Sequence, residues 1–317
     1  MQTPNQMKEM INNILITGGA GFIGSHLVQK LIKLNKEITV VDNLSRGAKK
    51  NIGTAINQIT FISDDICNSI IIEKLIKKSD LVIHLAALSR VIPSINYPEL
   101  CFHSNIQGTE IVARMCAKYK KKIIFSSSRE VYGEVKELPV DEDFPLNPVN
   151  PYGASKVAGE KIIESYHHSF GLEYGIIRLA NVYGLGDFDR VIPIFINAAL
   201  KGDNIKIFGG NQIIDFIHVD DVVMAIIKLM DINNSFVCNI GSGKGVSLHG
   251  LSATILHETN SQSKIYHLEK RTGEVDKFIS NTAKISGLID WHPRIPLNEG
   301  LSQLIAEKEE NFEASNN

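Results

Sequence analysis

The chain predicts an α/β fold, a parallel sheet wound on both faces by helices, with a smaller C-terminal lobe interleaved. Three observations carry that reading. Short β-branched runs alternate with helix-period stretches through the first half; a glycine cluster directly follows the first run; and beyond Ala180 the alternation loosens before one more helix and strand return. With 317 residues, the chain has room for one large α/β domain with an appendage, or for two domains. Hydrophobic residues make up 44%, and 33 basic residues against 35 acidic ones leave a net charge of −2, so no electrostatic footprint for nucleic acid or an anionic membrane is visible.

The first element is the apolar run Ile14–Ile16, followed by ITGGAGFIG. A turn alone accounts for glycines after a strand. Gly19, Gly21 and Gly24 also spell G-x-G-x-x-G, in which glycines allow a tight turn, close approach of the backbone to a pyrophosphate, and helix–strand packing. The next stretch, Ser25–Leu34, carries Leu27, Val28, Leu31, Ile32 and Leu34 at a helix-like period. A helix beginning at the last glycines aims its free N–H groups and positive dipole end at a bound phosphate.

The second strand, Ile38–Val41, ends at Asp42. A carboxylate there accepts hydrogen bonds from both adenosine ribose hydroxyls and repels a 2′-phosphate, which favours NAD over NADP. Arg46 is the opposing signal, since it could face such a phosphate. Further runs at Ile59–Ile62, Leu81–Leu85, Ile123–Phe125 and Gly175–Leu179 complete a Rossmann-type doubly wound sheet, with ligands expected at the carboxyl ends of its strands. Later come a helix at Asp220–Met230 and a strand at Phe236–Ile240. The expected division is an NAD-binding domain over 12–179, rejoined by 213–241; a substrate-binding lobe over 180–212 and 242–310; and flexible ends at 1–11 and 311–317.

Cys67, Cys101, Cys116 and Cys238 show no metal-ligand spacing and read as reduced thiols, so no metal is expected. The opening MQTPNQMKEMINN lacks the basic start and apolar core of a signal peptide, and no apolar stretch reaches spanning length. A soluble cytoplasmic protein is the expectation.

Two later segments, SSSREVYGE and NPYGASKVAGEK, supply groups suited to nicotinamide chemistry. Tyr152 and Lys156 stand four apart near the start of a predicted helix, so they share a face. A lysine ammonium beside a phenol favours the phenolate, and the expectation is a Tyr152 pKa lowered toward the range of a general base. Ser126, Ser127 and Ser128 follow the run Ile123–Phe125 and are expected to emerge at the end of the sheet, where one can share a hydrogen bond with a substrate hydroxyl. Either motif alone occurs by chance on many helices and strand ends.

Taken with TGGAGFIG, these segments form an ordered set: VDNLSRG, SDDI, HLAA at His84–Ala87, NIQGT at Asn105–Thr109, RLANVYG at Arg178–Gly184, DFIHVDD at Asp215–Asp221 and RTGEV at Arg271–Val275. Over nearly its whole length the sequence resembles the extended short-chain dehydrogenase/reductase superfamily, specifically its NAD-dependent nucleotide-sugar epimerases and dehydratases. The resemblance implies that Gly18, Gly21, Phe22, Ile23 and Gly24 hold the NAD pyrophosphate, Asp42 and Asn43 the adenosine ribose, and Asp65 and Ile66 the adenine. Ala86 and Ala87 would line the cofactor channel, with Asn105 supporting it. Ser128, Tyr152 and Lys156 match the catalytic set, while Asn181 and Arg271 match positions that bind the nucleotide diphosphate. For His84 a structural role is expected.

Two departures from the family pattern stand out. Ile214 occupies the place where relatives usually carry an arginine, and Arg129-Glu130 stands where 4,6-dehydratases carry an Asp-Glu pair. An arginine is no proton donor near neutral pH, so elimination lacks its acid; Glu130 alone resembles the glutamate of nucleotide-glucuronate decarboxylases. The leading expectation is C4 epimerisation of a UDP-linked hexose or derivative through a transient 4-keto intermediate. Decarboxylation of UDP-glucuronate, with Glu130 contributing, and 4,6-dehydration remain alternatives, as do a 4-keto-sugar reductase and a non-catalytic nucleotide-binding subunit. A role in carbohydrate metabolism such as polysaccharide biosynthesis, and a homodimer formed through the helices Asn105–Tyr119 and Ser155–Phe170, are further implications of the resemblance.

Overall fold

The computed structural model describes residues 11–316, with side chains over 11–310. The main sheet has seven strands: β1 (Asn13–Thr17), β2 (Glu37–Val41), β3 (Thr60–Ile62), β4 (Leu81–His84), β5 (Lys122–Ser128), β6 (Tyr174–Leu179) and a late strand, Phe236–Ile240. All pairings are parallel, and the order runs from Phe236–Ile240 through β6, β5, β4, β1 and β2 to β3. The order reverses at β1, which lies between β2 and β4, and that reversal opens a crevice at the carboxyl ends of β1 and β4.

The middles of the strands are apolar on both sides because both faces of the sheet are covered. Ile14, Ile16, Ile83 and Ile124 turn to one face, where they pack with Leu27, Val28 and Leu31 of the helix Phe22–Ile32. Their neighbours Leu15, Val82, Ile123 and Phe125 turn to the other, against Ile111 and Val112 of the helix Gly108–Tyr119. The two-residue period of the strand thus splits each run between two cores.

The remaining strands form smaller sheets: β7 (Asn181–Tyr183), β8 (Ile205–Phe208), β9 (Ile213–His218), then β10, as Phe236–Ile240 is now numbered, β11 (Gly245–Ser247), β12 (Ile265–Leu268) and β13 (Lys277–Phe278). β9 pairs with β7, β11 and β13, and β8 with β12. A third apolar core, with Ile192, Phe195, Ile205, Ile214, Leu251 and Leu301, lies among them and the helices Val191–Lys201, Leu248–Glu258 and Leu297–Asn316.

Two expectations are corrected. Residues 213–218 do not rejoin the main sheet; as β9 they pair only within the second sheet, and re-entry begins with the helix Val219–Leu229. The three serines do not follow the fifth strand but are its last residues, because they continue the ladder opposite Ile177, Arg178 and Leu179. Of the expected flexible ends, 1–10 and 317 lie outside the described residues, while the last helix continues to Asn316. The four cysteines are free, and no described helix is long and apolar enough to cross a membrane.

Candidate active site

The glycine turn leaves β1 with Gly18 at φ +71°, left-handed backbone that glycine enters without steric cost. Gly18 N–H donates to Val41 O (2.9 Å) and Gly21 N–H to Gly18 O (3.1 Å), so the turn is closed by its own backbone. A Cβ on Gly24 would stand 2.3 Å from Gly18 O, and one on Gly18 2.7 Å from Ala86 N. On Gly21, by contrast, a Cβ meets only Gly18 O at 3.2 Å, and that side of the turn is open. The helix Phe22–Ile32 starts there with no side-chain cap, leaving the first-turn N–H groups of Phe22, Ile23 and Gly24 available to an anion. An open glycine face, uncapped amides and a nearby carboxylate fit the pyrophosphate and ribose of NAD.

Asp42 follows β2 and is buried. Its Oδ2 accepts from Ala20 N–H (2.9 Å) and its Oδ1 from Leu44 N–H (2.8 Å), which fixes the carboxylate at the crevice edge with lone pairs to spare. Asn43 Nδ2 donates to Asp65 Oδ2 (2.7 Å), bringing the loops after β2 and β3 together, and Ile66 is buried beside them. Arg46 is committed elsewhere: it pairs with Asp189 at 2.7 Å.

At the end of β4, Ala86 N–H donates to Thr17 Oγ1 (3.2 Å), and Ala87 follows, partly exposed. His84 bridges Thr17 Oγ1 (2.7 Å) and Thr109 Oγ1 (3.0 Å), fully buried; burial and the nearby Lys156 charge push it down to about 3, so it stays neutral. Asn105 lies in a π-turn, His103–Gln107, that interrupts the helical run from Pro98 to Tyr119. Its Oδ1 accepts from Leu88 N–H (2.7 Å), and its Nδ2 donates to Leu88 O (3.1 Å) and Ser155 Oγ (2.9 Å). It therefore ties the loop after β4 to the helix Pro151–Phe170.

That helix starts at Pro151 and is capped by Asn150 Oδ1, which accepts from Gly153 N–H (2.8 Å). Tyr152 N–H donates to Ser94 Oγ (3.1 Å), and the Ser128 side chain lies close enough to the Tyr152 hydroxyl to act on its titration. Lys156 Nζ donates to Ser126 O (2.8 Å) and lies 5.8 Å from the Tyr152 ring centroid. Strand alternation separates the serines. Ser128 faces Tyr152, whereas Ser127 turns to the opposite side and donates to Glu160, the bidentate partner of Arg178.

The expected lowering of the Tyr152 phenol is not found among the protein's own groups. Burial around the hydroxyl dominates, and although the Ser128 side chain opposes it, the phenol is pushed up to about 12. Burial likewise brings Lys156 down to about 8. An ammonium held by a backbone carbonyl and packed under an aromatic ring does not by itself supply the charge that the phenolate needs.

On the other side of Ser128, the 3₁₀ turn Arg129–Val131 sends the Arg129 side chain across to Asn181 of the second lobe, while Val131 packs in the first core. Arg129 Nε donates to Asn181 Oδ1 (2.6 Å), and its Nη2 pairs with Glu130 Oε1 (2.8 Å). Asn150 Nδ2 donates to Glu130 Oε2 (2.9 Å) and Gly273 O (2.9 Å). Arg271 stacks over Phe208 at 3.6 Å and lies 3.6 Å from Glu274 Oε1. Ile214 is buried in the third core, so its apolar character is used in packing.

Sequence reasoning missed the partners that join these groups. Asn150 was not singled out, although Asn before Pro at a helix start is a cap signal. Nor was the loop Gly184–Arg190. Its Asp187 and Asp189 meet Arg90, Asp187 also pairs with Arg190 (3.2 Å), and Leu185 O accepts from His26 Nε2 (2.8 Å) near the glycine turn.

Comparison with known proteins places this geometry in context. The model of the NAD dependent epimerase/dehydratase family matches residues 14–241. A putative UDP-glucose 4-epimerase of Methanocaldococcus jannaschii is 41% identical over 300 residues, 92% of this chain and 97% of the relative. A UDP-N-acetyl-alpha-D-glucosaminuronate decarboxylase of Bacillus cytotoxicus is 33% identical over 93% of this chain and 97% of its own. Among solved structures, the UDP-glucose 4-epimerase of Thermotoga maritima with UDP-glucose superposes with a TM-score of 0.91 at 34% identity, covering 95% of this chain and 99% of that one.

Proposed function

Since this chain belongs to the NAD-dependent epimerase/dehydratase family, we propose that it inverts C4 of a UDP-hexose or a close derivative, with NAD as its cofactor. The observation that carries the reading is the convergence of Ser128, Tyr152 and Lys156 at the carboxyl end of β5, beside the crevice that fits NAD. NAD, when bound, supplies a hydride acceptor and donor and a positive charge beside the phenol.

Tyr152 takes the proton of the C4 hydroxyl, and Ser128 shares the hydrogen bond to that oxygen. Lys156 holds its ammonium beneath Tyr152 through Ser126 O and favours the phenolate. Asn181 and Arg271 anchor the diphosphate, the first with its Nδ2, because its Oδ1 is taken by Arg129. A remote anchor lets the 4-keto sugar turn and present its other face while it remains captive. Net redox is zero. The glycine turn, Asp42, Asn43, Asp65, Ile66, Ala86 and Ala87 line the cofactor side, with Asn105 behind them. The lobe of 180–212 and 242–310 supplies the sugar-nucleotide side. The protein acts in the cytoplasm as a homodimer, a state that light scattering tests directly.

The test is incubation of the protein with UDP-glucose, UDP-N-acetylglucosamine and UDP-glucuronate, following mass and sugar proton signals together. Unchanged mass with signals of the inverted C4 centre is the expected result. Loss of carbon dioxide or water would replace the reading with decarboxylation or dehydration. The Tyr152→Phe variant is expected to lose about 10³-fold in kcat while still binding NAD, and a nearly normal rate would remove Tyr152 from the mechanism.

A further inference from the structure

Residues 184–190 follow β7 in the second lobe, yet their contacts are with the segments that bound the cofactor crevice. Toward the helix Phe22–Ile32, which opens on the glycine turn, the Arg190 guanidinium lies 5.4 Å from the Phe22 ring centroid, and Leu185 O accepts from His26 Nε2 at 2.8 Å. On the β2 side, Arg46 Nη2 donates to Asp189 Oδ2 at 2.7 Å. On the β4 side, Arg90 pairs with the other oxygen of Asp189. Arg46 and Arg90 follow strands on opposite sides of β1, and Phe22 stands between them at the end of the glycine turn. The loop therefore crosses the crevice from one bank to the other.

Charge, more than packing, holds it there. Leu185 and Phe188 stay exposed, at 42% and 61%, so the middle of the loop is not pinned by burial of its large apolar side chains. Its root is firm: Asp187 is buried, pairs with Arg190 at 3.2 Å, and donates its N–H to Gly184 O at 3.2 Å. Its far end is looser, because the side chains of Arg46 and Asp189 are 39% and 41% exposed, where an ion pair is weak and screened by salt. Gly184 and Gly186, at φ +150° and +81°, give the base of the loop backbone freedom.

We propose that residues 184–190 form a strap over the NAD crevice, and that Asp189, bridging Arg46 and Arg90, is the latch that sets how fast the cofactor enters and leaves. The proposal goes beyond the reading under Proposed function, since it needs the cofactor site and not the identity of the sugar. Opening requires Asp189 to exchange two guanidinium groups for water, while the buried Asp187 keeps Arg190. A latch and an ordinary binding contact differ in their kinetics. Loss of a contact speeds release alone. Loss of a latch on a closed crevice raises the open fraction, and so speeds entry and release together.

The experiment mixes the full chain with NADH in stopped flow and reads, by fluorescence, both its association and its displacement by excess NAD. Asp189→Asn is expected to raise both rates about tenfold, the scale of two partly exposed ion pairs, while the dissociation constant moves by less than about threefold. Arg46→Gln should raise them less, since Arg90 still holds Asp189, and combining it with Asp189→Asn should add nothing to Asp189→Asn alone. Added salt should speed release from the native protein more than from the Asp189→Asn variant. Native rates in Asp189→Asn overturn the proposal, and so does faster release without faster entry, which would make Asp189 an ordinary contact. Additive effects of the two substitutions would show Arg46 acting on the cofactor by itself and would remove the latch as well. A native protein that exchanges NADH as expected but inverts no UDP-hexose overturns the functional reading instead, and the strap still stands.

Discussion

The two ends of the crevice are built by different means. At the cofactor end, Gly18 to Gly24 form a closed turn from contiguous residues, held by backbone hydrogen bonds and by contacts that leave no room for a Cβ on Gly24. At the sugar end, Arg129, Glu130, Asn150, Asn181 and Gly273 come from four separate stretches and meet through hydrogen bonds made by side chains. A contiguous turn is all-or-none, since one added carbon displaces the backbone itself. A dispersed network loses one bond at a time, and its response to substitution should be graded.

That contrast can be broken by experiment. The largest effect expected is from Gly24→Ala. Its Cβ would lie 2.3 Å from Gly18 O, and overpacking of this kind costs about 1–3 kcal/mol. NAD affinity should fall by about 10²-fold, and calorimetric titration showing native affinity would mean that the turn is not rigid. A smaller effect is expected from Arg271→Ala, which removes the stacked guanidinium over Phe208. KM for the sugar nucleotide should rise about tenfold with a lesser fall in kcat; a fall confined to kcat would place Arg271 at the reacting carbon instead. An all-or-none loss on either side of the Arg129 network would also undo the contrast.

The smallest effect concerns the framework behind both ends. His84 is held neutral, with its folded pKa down at about 3 by burial and by Lys156. The unfolded chain binds a proton at this residue below about pH 6.5 and the native chain does not, so stability falls as pH drops from there toward 3. His84→Gln should flatten the denaturant-midpoint profile over that window by one proton's worth of slope. An unchanged profile would assign the acid sensitivity elsewhere.

The same difference decides what could be read from the sequence. The runs at Ile14, Ile38, Leu81 and Ile123 announce the main sheet because a strand covered on both faces puts apolar residues on both of its sides. ITGGAGFIG is legible because its requirement is steric and local. Ile213–His218 reads like any buried strand, and only its pairing partners place it in the second sheet. Ser128, Tyr152 and Lys156 were found as motifs, but the direction in which the phenol shifts was not, since it depends on burial created by the whole fold. The bond from Arg129 to Asn181 spans 52 positions, and nothing in either neighbourhood announces it.

The π-turn at His103–Gln107 carries one more consequence. One extra residue in a helix advances its phase by about 100°, so the segments before and after it present different sides to the same neighbour. Gly108–Tyr119 can then keep Ile111, Val112 and Met115 in register with the sheet, while Asn105, a few residues earlier, turns its side-chain amide to Leu88, Ser155 and Cys101. Removing that one residue would make the helix regular and leave its two halves competing for a single orientation.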